Sequence, residues 1–291
     1  SVIANFTKWI NQGAVDPRRV TLKPKTEKTI DFEAARESHW AYQTLSEPKI
    51  PSVSRQTWQT NSIDRFVGAR LEAENITPAE PADPSVWLRR VYLDLIGLPP
   101  TPEQQAQFQE DTSSHKRAHL VDDLLASPHY GERWGRHWLD VARYAETKGY
   151  EQDELMPYTW LYRDWVIKAF NSDMPYDQFM LHQLAGDEID DTDLDNRIAT
   201  MFLSVGSFDT VAQVAIRSIY DQLDDIIATT SQAFMGLTLQ CARCHDHKFE
   251  PVAQKDYYRM LAAFEPLDLQ GLHWVALPTR PKKGFDFSTP Q

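Results

Sequence analysis

Cys241, Cys244 and His245 stand in the order Cys241-Ala242-Arg243-Cys244-His245, and these are the only two cysteines in the chain. A Cys-x-x-Cys-His string is the attachment pattern of a c-type haem. Two thiols about one helical turn apart can add across the two vinyl groups of one haem. The residue that follows then offers its imidazole to the iron as the proximal ligand. Two other chemistries use the same residues. A Cys-x-x-Cys pair can be a disulfide or a redox dithiol, although no strand-helix context of the thioredoxin kind precedes this one. Zinc can take Cys241, Cys244 and either His245 or His247, but a structural zinc site needs a fourth ligand and no second Cys/His pair exists. Haem c is therefore the expected cofactor and zinc the alternative.

A haem iron has a second axial position, and His137 is the candidate distal ligand. Trp134, His137, Trp138, Val141 and Ala145 recur at helical spacing and predict one continuous apolar face. On that face His137 is either a buried neutral histidine or a distal-pocket residue. His129 shares a weaker version of the same placement. His115 and His119 lie among Ser, Lys and Arg and read as solvated. The methionines Met156, Met174, Met201, Met235 and Met260 stay open as ligands, though a methionine on an apolar helix face is usually core.

Gly186 to Asn196 reads GDEIDDTDLDN. Asp191, Asp193 and Asp195 fit the first three ligand positions of a calcium loop, but Phe202 stands where a bidentate Glu is needed. An acidic solvated loop across 187–195 is the expectation, with calcium the alternative. Asp221, Asp224 and Asp225 read as a charged helix face, solvated or paired with Arg217. No Gly-x-Ser-x-Gly, His-Glu-x-x-His or Walker loop is present.

The elements that must position these residues are helices. Val2, Phe6, Trp9 and Ile10 predict a short amphipathic helix stopped by Gly13, in a start that does not read as a signal peptide. Asp16 to Thr60 is rich in Pro, Lys, Thr and Ser and reads as a connector with one short helix around Glu33 to Trp40. From Ser62, an expected N-cap, helix follows helix. Asp83-Pro84 opens one to Leu95, Thr101 to Gln104 is a capping box, and Ser127-Pro128 opens one to about Tyr144. Thr159–Phe170, Tyr176–Leu184, Arg197–Leu203, Ile219–Leu239 and Lys255–Phe264 complete the series. The expected fold is mostly α: an irregular multi-helix domain with long loops and extended N- and C-terminal segments. Its parts are 1–15, a short helical segment; 16–61, a connector; 62–268, the helical haem-binding domain; and 269–291, a linker.

The chain has 291 residues, 30 basic against 42 acidic side chains, and a net charge of −12. That balance argues against phosphate-backbone binding, so no nucleic-acid partner is expected. With 42% hydrophobic residues there is enough to build a core. No apolar run approaches the ~18 residues of a membrane span.

Four long stretches resemble a planctomycete-type cytochrome family. They are SPHYGERWGRHWLDVARYAETKGYEQD (Ser127 to Asp153), YRDWVIKAFNSDMPYDQF (Tyr162 to Phe179), QLAGDE (Gln183 to Glu188) and QCARCHDHKFEP (Gln240 to Pro251). The resemblance covers Ile63 to Phe264 and places it in the second cytochrome-like domain of large secreted or periplasmic proteins. FTKWINQGAVDPR (Phe6 to Arg18) resembles the closing helix of the preceding cytochrome c domain, and HWAYQ (His39 to Gln43) the joining segment. The resemblance implies haem binding through Cys241, Cys244 and His245.

The expected function is electron transfer in a periplasmic or extracellular redox protein, with a redox protein or neighbouring cytochrome domain as partner. The acidic surface suits a basic partner. Two rivals stand beside it. One is a peroxidase-like haem enzyme with an open distal site, in which His137 serves near Arg133 or Arg136. The other is a zinc- or haem-stabilised interaction domain that binds carbohydrate through some of the nine tryptophans.

Overall fold

Capping chemistry sets where the helices begin. In the computed structural model, residues 2–13, 31–55, 61–190, 192–207 and 215–267 are described, with side chains from residue 218 in the last of these segments. Twelve α-helices run through them in the order α1 Val2–Asn11, α2 Phe32–Ser38, α3 Ser62–Ala73, α4 Pro84–Leu95, α5 Pro102–Glu110, α6 Lys116–Leu125, α7 Pro128–Val141, α8 Thr159–Asn171, α9 Tyr176–Ile189, α10 Leu194–Ala199, α11 Ala215–Met235 and α12 Gln254–Phe264. No strand is found among the described residues; one isolated antiparallel bridge joins Thr147 and Leu155. The mostly α expectation holds. The chain divides into two units, Ser1–Thr44 and Leu45–Gln291.

Several starts are those the sequence predicts. Asp83 accepts from the Ser85 amide ahead of Pro84, and Thr101 and Gln104 form the reciprocal capping box. Asn61, not Ser62, caps α3, because its side chain accepts from the Asp64 amide. The short helix expected around Glu33 to Trp40 is split into α2 and a 3₁₀ turn, Trp40–Tyr42, by the extended backbone of His39. The helix expected to end at Leu184 continues to Ile189 through a non-helical Ala185. Residues 14–30, which include the start of the connector, residues 56–60 within it, and the 269–291 linker lie outside the described residues.

The main core lies in the second unit, among α7, α8, α9, α10 and α11. Tyr162, Trp165 and Val166 of α8 pack with Phe179, Met201, Phe202 and Leu223. Burying side chains of this size contributes about 1.5–3 kcal/mol each. A smaller cluster joins Ile227 of α11 to Leu239, Ala242, Val252 and Tyr257 and carries the cysteine segment. A third cluster links Leu88, Tyr92, Phe108 and Leu124 of α4, α5 and α6.

The α7–α8 crossing is set by a glycine. A Cβ on Gly131 would run into the Ile167 carbonyl and the Asn171 side chain. The Gly131 amide donates to Asn171 Oδ1 at 2.8 Å, and Asn171 Nδ2 donates to the Pro128 carbonyl at 3.1 Å. The inner face of α7 is therefore Gly131, Gly135, Trp138 and Ala142. It is not the predicted stripe of Trp134, His137, Trp138, Val141 and Ala145. His137 and Val141 are exposed, while Trp138 turns inward. The helix stops at Val141, short of the expected Tyr144, and Arg143 takes a positive φ just beyond it.

Candidate functional site at the cysteine segment

Leu239–Arg243 form a 3₁₀ turn that packs on α11 and α12. Leu239 and Ala242 point into the smaller core. With three residues per turn, positions i and i+3 of such a turn eclipse each other. Cys241 and Cys244 have that spacing, and both are free and exposed. His245 follows, also exposed, with Nδ1 2.7 Å from the Asp246 carbonyl oxygen. A carbonyl only accepts, so Nδ1 carries a proton, and in the neutral ring Nε2 keeps the lone pair. This is the tautomer a metal-binding imidazole needs, with its second nitrogen held by a backbone acceptor.

Polar side chains from two helices hold this turn. Asp224 of α11 is 6% exposed. It accepts from Arg243 Nη1 at 2.9 Å, Gln240 Nε2 at 3.0 Å and the Tyr257 hydroxyl at 2.6 Å. Arg243 Nη2 also reaches Asp221 at 3.3 Å. The Arg243 carbonyl accepts from Gln254 Nε2 and the Tyr258 hydroxyl, and Asp246 Oδ1 accepts from the Gln254 amide at the start of α12. Burial, and then the bond to Asp224, hold the Tyr257 phenol above its ordinary range.

His247 is no ligand in this arrangement. It is 5% exposed, and its Nδ1 accepts from the amides of Glu250 at 2.8 Å and Phe249 at 3.3 Å. The proton is therefore on Nε2, which donates to Thr238 Oγ1 at 3.0 Å. With both nitrogens engaged, His247 closes the loop from 247 to 252, helped by its own amide on the Val252 carbonyl. Among the described residues no group of three or more His, Cys, Asp or Glu is gathered as a metal would require.

His137 lies elsewhere in the packing. Its ring meets Trp134 edge-on at 5.5 Å, on a helix that packs against α8 and α4. His129 pairs with Glu132 at 2.7 Å, and His115 and His119 are exposed with their rings 6.2 Å apart. Met201 is core and Met260 packs against the smaller cluster, whereas Met235 is exposed at the end of α11.

Two acidic expectations change. Asp224 and Asp225 are not a solvated face: Asp224 anchors the cysteine turn, and Asp225 pairs with Arg143. Arg217, their expected partner, has its side chain outside the described residues. In the acidic loop Asp193 caps α10 through the Asp195 amide, Asp195 pairs with Lys168, and Asp190 binds Thr192. These are local structural bonds; Asp191 lies outside the described residues. Asp224, Tyr257, Gln254 and His247 were not legible as supports of the motif. The one available signal was the i, i+3 spacing of Asp221 and Asp224, which faces Arg243 only once α11 and the turn are packed.

Fold and site together define a mostly helical protein that displays two free thiols and an exposed imidazole on the surface of a small subsidiary core. The chain belongs to the family described as PSCyt2, protein of unknown function (DUF1549), whose model matches residues 62–268. No curated protein and no solved structure matched the chain. No helix among the described residues is long and apolar enough to cross a membrane.

Proposed function

We propose that Cys241 and Cys244 carry one covalent haem c with His245 as its iron ligand. The chain then transfers electrons within a larger extracytoplasmic redox protein. The observation that carries this reading is the exposure of both thiols on one turn beside an imidazole whose Nδ1–H is held and whose Nε2 is free. The cytochrome-like name of the family supports it coarsely. When bound, the haem supplies a one-electron couple.

The protein's part is to position. Cys241 and Cys244 would hold the haem through thioethers, each thiol adding across one vinyl group, so both must be reduced and accessible. Arg243, tied to Asp224, holds the two cysteines in register. The Asp246 carbonyl keeps the imidazole oriented with Nε2 outward. Covalent attachment follows export, so an extracytoplasmic location belongs to the same reading. The charge of −12 suits a basic redox partner.

The test is a pyridine haemochrome assay on protein made with a cytochrome c maturation system. One covalent haem per chain, lost in Cys241→Ser/Cys244→Ser, is the expected result. His245→Ala should keep some covalent haem but change the spin state of the iron. A colourless protein that takes up stoichiometric zinc would sink the proposal.

A further inference from the structure

A second site lies away from the cysteines. Between α7, α8 and α9 is a cavity of about 260 Å³, lined among others by Tyr130, Trp138, Phe170, Tyr176, Phe179 and Asp173. Five of the eight lining side chains are aromatic. Trp138 meets Phe179 edge-on with centroids 4.8 Å apart, and Phe170 meets Phe179 edge-on at 5.9 Å. Asp173 sits in the turn after α8 at a φ of 50°, and its carboxylate has no hydrogen bond or ion pair among the described residues.

The walls are held before any ligand arrives. Trp138 Nε1 donates to the Tyr162 hydroxyl at 3.0 Å and to Gln183 Oε1 at 2.9 Å. The Tyr162 hydroxyl donates to the same Gln183 oxygen at 2.6 Å, and Gln183 Nε2 donates to the Phe179 carbonyl at 2.8 Å. Tyr162 and Gln183 are fully buried, so this network fixes the indole that lines the cavity. Tyr130 is brought there by the Gly131–Asn171 clamp between α7 and α8. Tyr176, at the start of α9, is exposed and stands at the rim.

We propose that this pocket binds a small organic cation, an alkyl- or quaternary-ammonium head group. Aromatic faces carry negative quadrupole charge and attract a cation within about 6 Å of the ring centre. An unpaired carboxylate at the same opening adds the opposite charge. An anion is repelled by Asp173, and an uncharged apolar ligand would gain nothing from that exposed carboxylate. A sugar could stack on the rings, but it needs several donors and acceptors, and the named walls offer one carboxylate and two phenols. The cavity falls just under the usual ~300–1,000 Å³ of ligand pockets, which suits a head group better than a large ligand. The haem reading plays no part in this site.

The probes are choline, its uncharged carbon isostere 3,3-dimethyl-1-butanol, and glucose. Each is titrated into the full chain by calorimetry and by tryptophan emission. Choline should bind saturably in the millimolar range or tighter, and the isostere and glucose more weakly. Asp173→Asn should weaken choline binding about fivefold, since the lost charge is exposed and partly screened. Asparagine tolerates the positive φ at this position, and Tyr176→Ala, at the exposed rim, should weaken choline by a similar factor. Unchanged melting curves show that both variants fold. Absence of saturable choline binding, equal binding of the isostere, preference for glucose, or full choline affinity in both variants would each overturn the proposal.

Discussion

The cysteine turn and the α7–α9 core are built by opposite means. The turn buries only Leu239 and Ala242 and is otherwise tied down by polar side chains converging on Asp224 and His247. The α7–α9 core is a stack of aromatic rings with one enclosed polar network, Trp138–Tyr162–Gln183, at its centre. The first arrangement leaves reactive atoms at the surface and holds the backbone beneath them. The second holds a ring system rigid and leaves its polar atoms inaccessible. If the thiols take a covalent group they need the former arrangement, because a hydrophobic clamp would cover them.

Substitutions that separate the two regions should do so by size. Trp138→Ala removes an indole from the main core and the Nε1 donor shared by Tyr162 and Gln183, which keep the bond between them; a loss of about 4 kcal/mol in urea unfolding is expected. Thiol accessibility in the folded state should be unchanged, and altered labelling of Cys241 and Cys244 would show that the two regions are coupled. Asp224→Ala should cost about 1–3 kcal/mol, as the buried Tyr257 hydroxyl loses its acceptor and the more exposed Gln240 and Arg243 lose a shared partner. Here the cysteine region should respond first, with faster thiol labelling and slower amide exchange retained in α8. Uniform destabilisation across both would break the distinction.

A third comparison uses pH. Burial holds the Tyr162 phenol above its ordinary range, and burial with the bond to Asp224 does the same for Tyr257. A raised phenol pKa favours the neutral folded form. Its contribution is complete below the unfolded value of about 10 and is lost as pH rises beyond it. Stability should therefore fall above about pH 10, and Tyr162→Phe should flatten that fall; an unaltered alkaline profile in the variant would count against burial as the cause. The smallest effect belongs to His137→Ala, at an exposed position: within ~0.5 kcal/mol of wild type and without change in the spectrum of any bound haem. A shifted spectrum would restore His137 as the distal ligand.

Legibility followed from how local the cause was. Asp83-Pro84 and the Thr101–Gln104 box place α4 and α5 because capping is settled within four residues. The stripe through His137 failed for a different reason. Hydropathy marks large apolar residues as the inner face, yet α7 approaches α8 so closely at Gly131 that only a residue without a side chain fits there. Bulk is displaced to the flanks, and His137 goes with it. Asp224 follows a similar rule: its spacing allows solvation or an arginine partner, and only the packed turn shows that the partner is Arg243.

By itself, then, the sequence determined the helical class, most helix starts and the set Cys241, Cys244 and His245, because caps, periodicity and a five-residue motif act over short spans of chain. Only the tertiary structure decided that both thiols face solvent, that His245 is protonated on Nδ1 while His247 is consumed by its loop, and that an aromatic cavity forms beside Asp173. Each of these depends on which groups meet across long separations in the chain, and those meetings follow from how the helices pack.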